Sequence, residues 1–232
     1  MDIVPVIDVM AGVVVQARGG NRAHYAPIDS PLCGSSAPAV VARLLSEYCA
    51  AHRLYLADLD ALQGRPAQVD LVRSLLDDAP ERTLWVDAGF TDASAVQAWQ
   101  AALGPLAARV RPVFASEALP DRAAVRACTA AHPDGLLSLD RRGDERWDRA
   151  GCWDDPSLWP ASVIVMTLER VGADRGPDLD TLAALRRRSP ATRLVGAGGL
   201  RDDTDRARAA AAGADAWLVA SALHQRRLAP AR

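Results

Sequence analysis

The chain is 232 residues long, half of them hydrophobic and 24% charged, with a formal net charge of −2, a balance that describes a well-cored domain and excludes a disordered one. Near-neutral charge gives no electrostatic footprint for nucleic acid, and no apolar run approaches the roughly 18 residues that cross a bilayer, so neither polynucleotide nor membrane is an expected partner. All 27 basic residues are arginine, which excludes every mechanism that forms a Schiff base on the enzyme's own lysine, among them lysine-dependent aldolases and lysine-anchored PLP.

The pattern opens with a β-branched run over residues 3–7. Asp2 and Asp8 interrupt it and no basic flank precedes it, so it reads as a buried strand and not as a secretion signal. Residues 13–36 are too long for a simple connection, and Arg18-Gly19-Gly20-Asn21-Arg22 within them suggests a mobile cationic flap over an anionic substrate. Short apolar runs at residues 54–57, 84–86, 110–114, 136–139, 163–166, 194–195 and 217–219 then alternate with amphipathic, alanine-rich segments at 38–51, 68–78, 93–103, 122–131, 179–188 and 204–212. The runs read as buried parallel strands and the segments as helices, several preceded by a capping Ser, Asp or Thr. Trp99, on the predicted helix over 93–103, marks either a contact surface or a helix-sheet core position. A second flap is expected over residues 141–159, where Arg141, Arg142, Arg146, Trp147 and Trp153 could close on a phosphosugar or a planar ring.

Strand ends recur about every 25 to 30 residues, the span of one βα unit, so about eight units fill residues 1–232 as a single (β/α)8 barrel domain. A doubly wound open sheet would need fewer units and usually a glycine-rich turn after its first strand, where this chain has Asp8-Val9-Met10-Ala11-Gly12. An internal echo favours the barrel. Val6-Ile7-Asp8 pairs with Ser138-Leu139-Asp140, Ala57-Asp58-Leu59-Asp60 with Met166-Thr167-Leu168-Glu169, Asp87-Ala88-Gly89-Phe90 with Ala197-Gly198-Gly199-Leu200, and Ala115-Ser116-Glu117-Ala118-Leu119 with Ala220-Ser221-Ala222-Leu223. Matches in the same order imply two fused half-barrels about an approximate two-fold axis.

Residues just after barrel strands crowd the C-terminal rim, where such folds place catalysis. Here they are Asp8, Asp58, Asp87, Asp140 and Thr167. The echo sets Asp8 and Asp140 across one mouth, the arrangement for a general acid and a general base, while Asp58 and Asp87 could equally be caps or arginine partners. Gly198 and Gly199 after the seventh strand and Ser221 after the eighth make a phosphate cradle, and the echo predicts a second anion site at Gly89 and Ser116. Cys33, Cys49, Cys128 and Cys152 lack metal spacing and read as free thiols of a reducing cytoplasm. His24, His52, His132 and His224 show no metal or triad spacing and receive no role.

Together with Gly64-Arg65-Pro66, Gly176-Pro177 and Gly213-Ala214-Asp215, these motifs resemble the histidine-biosynthesis barrel family of the HisA/HisF type along essentially the whole chain. That family comprises the phosphoribosyl-formimino-aminoimidazole-carboxamide ribotide isomerase and the cyclase of imidazole glycerol-phosphate synthase. The resemblance implies an Amadori rearrangement of a phosphorylated aminoaldose, with Asp8 as base, Asp140 as acid, Thr167 orienting groups and phosphates held at both ends. It implies no metal and no organic cofactor. Cyclases of the family carry a functional lysine near strand one, which this chain lacks. Asp87-Ala88-Gly89-Phe90 stands where the family usually has a glycine-rich turn, with a carboxylate that would repel phosphate, and Ala115 and Ala220 stand where glycines are expected. These departures resemble a divergent subgroup of methanogens and methylotrophs whose neighbours concern one-carbon cofactors.

The expected function is an acid/base isomerase acting on a phosphorylated, ribose-derived small molecule, as a monomer or small homo-oligomer, with binding residues Arg18, Arg141, Gly89, Ser116, Gly198, Gly199 and Ser221. The alternatives are a non-catalytic phosphate-binding or regulatory barrel and a cyclase-like subunit working with a partner protein.

Overall fold

The computed structural model describes residues 1–19, 21 and 24–231. Gly20 and Arg22 of the expected first flap lie outside the described residues. The elements in chain order are β1 (Asp2–Met10), β2 (Val13–Val15), α1 (Pro38–Cys49), β3 (Arg53–Asp58), α2 (Val69–Asp77), β4 (Thr83–Asp87), α3 (Ala93–Leu103), β5 (Val110–Ala115) and α4 (Arg122–Ala131). They continue with β6 (Leu136–Arg142), β7 (Glu145–Arg146), β8 (Ser162–Thr167), α5 (Leu179–Arg188), β9 (Arg193–Ala197), α6 (Asp203–Ala211), β10 (Ala216–Val219) and α7 (Ser221–His224).

Eight of the strands pair in parallel in the order β1-β3-β4-β5-β6-β8-β9-β10, and β10 returns to β1 with Pro5 opposite Val219. The result is a closed parallel barrel with helices between its strands, the (β/α)8 architecture. Closure leaves no unpaired edge, which suits strands as apolar as these. Side chains of alternate parity separate into two cores. Val4, Tyr55, Trp85, Val113, Leu136, Ile164, Val195 and Leu218 fill the barrel. Ile7, Leu54, Leu56, Val86, Phe114, Leu137, Val165 and Trp217 face the helices. Gly196 has no Cβ because one would lie 2.2 Å from the Trp217 ring.

Helix starts follow the caps in the sequence. Asp92, Asp121 and Asp202 accept the backbone N–H three residues on, each at 2.9 Å, and open α3, α4 and α6. One expectation changes and one open reading is decided. Residues 13–15 are strand, not loop: Ala11 and Gly12 turn with φ of 50° and 79°, and β2 pairs back onto β1 with Val15 opposite Asp8. Trp99 is 7% exposed and packs edge-on against Phe90 at 5.5 Å, so it belongs to the helix-sheet core and offers no contact surface. Among the described residues, no helix is long and apolar enough to cross a membrane.

Candidate functional site

Strand parity decides which rim residues reach the mouth, because successive side chains alternate between barrel and helix layer. In β1, Val4 and Val6 pack inside and Ile7 and Val9 outside, so Asp8 points inward. Asp87 follows inward Trp85, and Asp140 follows inward Leu136 by two steps of two. These three carboxylates line a cavity of about 300 Å³ at the C-terminal mouth, with Tyr55 and Glu117. Asp58 and Thr167 have the opposite parity and do not line it. Asp58 instead accepts the backbone N–H groups of Asp60, Ala61 and Gln68 at 3.2, 3.1 and 2.6 Å, which organises the turn after β3.

Asp140 is 5% exposed. It accepts the Ser138 hydroxyl at 2.7 Å, the Ser116 hydroxyl at 3.2 Å and the Glu117 N–H at 3.4 Å. Burial, reinforced by the Glu117 and Asp87 charges, nevertheless pushes its carboxyl well above the usual carboxylate range. The Tyr55 hydroxyl donates to Asp87 Oδ2 at 3.2 Å, and burial with the charges of Asp87, Asp140 and Asp8 pushes the phenol well up. Tyr55 therefore stays a proton donor among three carboxylates. Sequence reasoning missed Tyr55, yet its parity with Ala57 and Leu59 was there to be counted.

On one side of the cavity lie Gly198, Gly199, Ser221 and Arg18. Gly198 and Gly199 have φ of 89° and 81°, and a Cβ would stand 2.8 Å from the Thr167 carbonyl oxygen at the first and 2.1 Å from that of Gly176 at the second. Only glycine fits both the backbone conformation and the approach. Arg170, Arg201 and Arg227 also line this side. Arg201 pairs with Asp205 at 2.7 Å, Arg227 with Asp174 at 2.6 Å, and Arg170 donates to the Gly176 carbonyl at 2.9 Å. The side is thus fenced by guanidinium groups fixed in place by their own partners.

The echoed second anion site is built differently. Gly89 has φ of 65°, but its N–H donates to Asp87 Oδ1 at 3.1 Å. Ser116 is fully buried, accepts the Asp140 N–H at 3.0 Å and sets its hydroxyl 2.8 Å from the Trp147 carbonyl oxygen. Neither residue lines the cavity. The chain's own carboxylate takes the N–H that a phosphate would need.

Thr167 and Arg141 form a separate group beside the mouth. Thr167 donates to Asp178 Oδ2 at 3.2 Å, and Arg141 lies 3.5 Å from that oxygen while donating to Thr181 Oγ1 at 2.7 Å and to the Gly143 carbonyl. Asp178, which also caps α5, holds both side chains away from the cavity. The second expected flap is mostly wall: β7 pairs with β6, Trp153 is buried with its indole N–H on the Asp140 carbonyl at 3.2 Å, and Arg146 stacks over it at 5.2 Å. Trp147 is the indole of this segment that lines the cavity. Within the expected first flap, the Gly19 N–H donates to the Val171 carbonyl at 2.9 Å. Among the described residues, no group of three or more His, Cys, Asp or Glu side chains is placed to hold a metal ion.

A family model described as "Histidine biosynthesis protein" matches residues 2–229. An uncharacterized protein of Methanocaldococcus jannaschii is 26% identical over 230 residues, covering 97% of this chain and 94% of its own.

Proposed function

The chain belongs to the histidine biosynthesis protein family, and we propose that it is an acid/base isomerase that converts a phosphorylated, ribose-derived aminoaldose into an aminoketose. The observation that carries the proposal is the pair of inward carboxylates, Asp8 and Asp140, in equivalent places of the two half-barrels and in one cavity. Their environments differ: Asp8 is half-buried, whereas Asp140 is buried and held toward its protonated form. A pair separated in this way supplies one base and one acid at the same pH.

Asp140 gives its proton to the ring oxygen; the C1–O bond breaks and the nitrogen lone pair forms a C1=N iminium. Asp8 then takes the C2 proton, and the electron pair left behind forms C1=C2 and neutralises the nitrogen. Loss of the C2 hydroxyl proton and delivery of a proton to C1 complete the aminoketose. Tyr55 is a fixed donor to Asp87 in the same cavity. Thr167 acts at one remove, through its bond to Asp178. Gly198, Gly199, Ser221 and Arg18 hold one phosphate. The opposite end, where Asp87 takes the Gly89 N–H, suits a hydrogen-bond donor better than a second phosphate. That departure supports a substrate other than the histidine-pathway one, such as an intermediate of one-carbon cofactor synthesis.

The test is a spectrophotometric assay of the purified protein on the histidine-pathway aminoaldose and on singly phosphorylated aminoaldoses, beside Asp8→Asn. Turnover that the variant lacks supports the reading. Phosphate-dependent thermal stabilisation without turnover of any aminoaldose, unchanged in Asp8→Asn, favours the non-catalytic binding barrel.

A further inference from the structure

His224 ends α7 on the wall of the same cavity, on the side of Ser221 and Arg227, and is 2% exposed. One ring nitrogen is spoken for: Nδ1 lies 2.8 Å from Ser30 Oγ. Ser30 is itself buried, and its Oγ already accepts the Cys33 N–H at 2.9 Å. Among the described residues Nδ1 is the acceptor in hydrogen-bond contact with the serine hydroxyl, so directing the serine proton to Nδ1 satisfies both groups, and the imidazole proton then sits on Nε2. Nε2 is buried and has no hydrogen-bond partner among the described residues. A buried donor left unmade is destabilising, and folded proteins keep few of them without a reason.

We propose that His224 is a ligand-binding residue whose Nε2–H donates to an oxygen of the substrate's phosphate end, with Ser30 as the residue that sets its tautomer. The inference rests on reading the Gly198–Gly199 side as the anion end. The surroundings fit an oxyanion: Arg170, Arg201 and Arg227 line that side, and the glycine pair keeps the backbone bare there. A ligand oxygen on Nε2 would complete the histidine's second bond and fix the ligand against the segment that carries Ser30. Burial holds the imidazole neutral, with its pKa lowered to about 4, so the donor acts by direction and adds no charge to a side already rich in guanidinium.

The experiment is long-range 1H–15N NMR of the full chain, which has four histidines, with His224 assigned through His224→Gln. The proposal expects the Nε2–H tautomer in the free protein and a shift of that proton on titration with ribose 5-phosphate or inorganic phosphate. An Nδ1–H tautomer, or a signal unmoved at saturating concentrations of both, overturns it. Ser30→Ala should mix the tautomers. In calorimetry, His224→Phe should weaken ribose 5-phosphate binding about tenfold to a hundredfold, the loss of one bond to a charged acceptor, while His224→Gln, which keeps a donor, stays within about threefold. If the phenylalanine variant does not fold, the wild-type spectrum still decides. Turnover with an unmoved His224 signal refutes this inference alone; phosphate binding through His224 without turnover refutes the isomerase alone.

Discussion

Replacing Gly199 by alanine tests whether the glycine pair is a close-fitting cradle or merely a turn. A Cβ at Gly199 would lie 2.1 Å from the Gly176 carbonyl oxygen and 3.2 Å from Arg170 Cβ, at a φ of 81°. The backbone conformation alone is unfavourable to an L-residue by about 1–2 kcal/mol. The overlap adds to it, because the oxygen must retreat by about 1 Å in a region where strain of this kind adds roughly 1–3 kcal/mol. Gly12→Ala isolates the first part: its φ is 79° and nothing lies within 4 Å of the new atom. In a chain of this size about 1 kcal/mol moves the melting temperature by about 2–4 °C. Scanning calorimetry should therefore find Gly12→Ala lowered by about 2–8 °C and Gly199→Ala, with both contributions, by about 4–20 °C. The second variant should also lose the stabilisation that ribose 5-phosphate gives the wild type. Equal shifts in the two variants would refute the close approach, and an intact ligand response in Gly199→Ala would refute the cradle.

Asp140→Asn should raise stability while removing activity. A carboxyl whose folded pKa is raised above its unfolded value contributes stability below the unfolded pKa and loses it as pH rises through the folded one. The variant should melt higher than the wild type by about 2–4 °C at pH 7, with the gap closing near pH 4, and its kcat should fall about 10²- to 10⁴-fold. A lower melting temperature at neutral pH would show that the hydroxyls of Ser116 and Ser138 outweigh burial. Asp58→Ala should act oppositely, lowering the melting temperature by about 6–12 °C through three orphaned backbone N–H groups, yet leaving ribose 5-phosphate affinity intact. Weakened binding in a folded variant would put Asp58 in the site. His224, with its folded pKa lowered, makes stability fall as pH drops from about 6.5 toward 4. Thermal melts of His224→Gln should show a shallower slope over that window than the wild type.

The barrel was legible because the signals agree: β-branched runs, amphipathic spacers and aspartate caps all specify the same units, and α3, α4 and α5 begin and end at the residues their patterns mark. The residues 13–15 read as loop because three valines are too short a run to separate from the long segment they open; only pairing with β1 makes them strand. Rim position alone named five candidates, but the pleat sends Asp58 and Thr167 to the far face, and the parity of the neighbouring apolar residues carried that information. The second anion site could not be judged from an echo, since a repeat preserves positions and not contacts: Asp87 and the Trp147 carbonyl take what the phosphate would have used. His224 was invisible because its partner Ser30 is 194 residues away in sequence.

The claim that Asp140 protonates the ring oxygen and Asp8 takes the C2 proton of a phosphorylated aminoaldose is tested most directly by turnover in heavy water, followed by mass spectrometry and NMR of the product. Wild-type enzyme should place solvent deuterium on C1 of the aminoketose, and both Asp8→Asn and Asp140→Asn should form product at least about a hundredfold more slowly. Deuterium incorporation at wild-type rates in either variant would contradict the account.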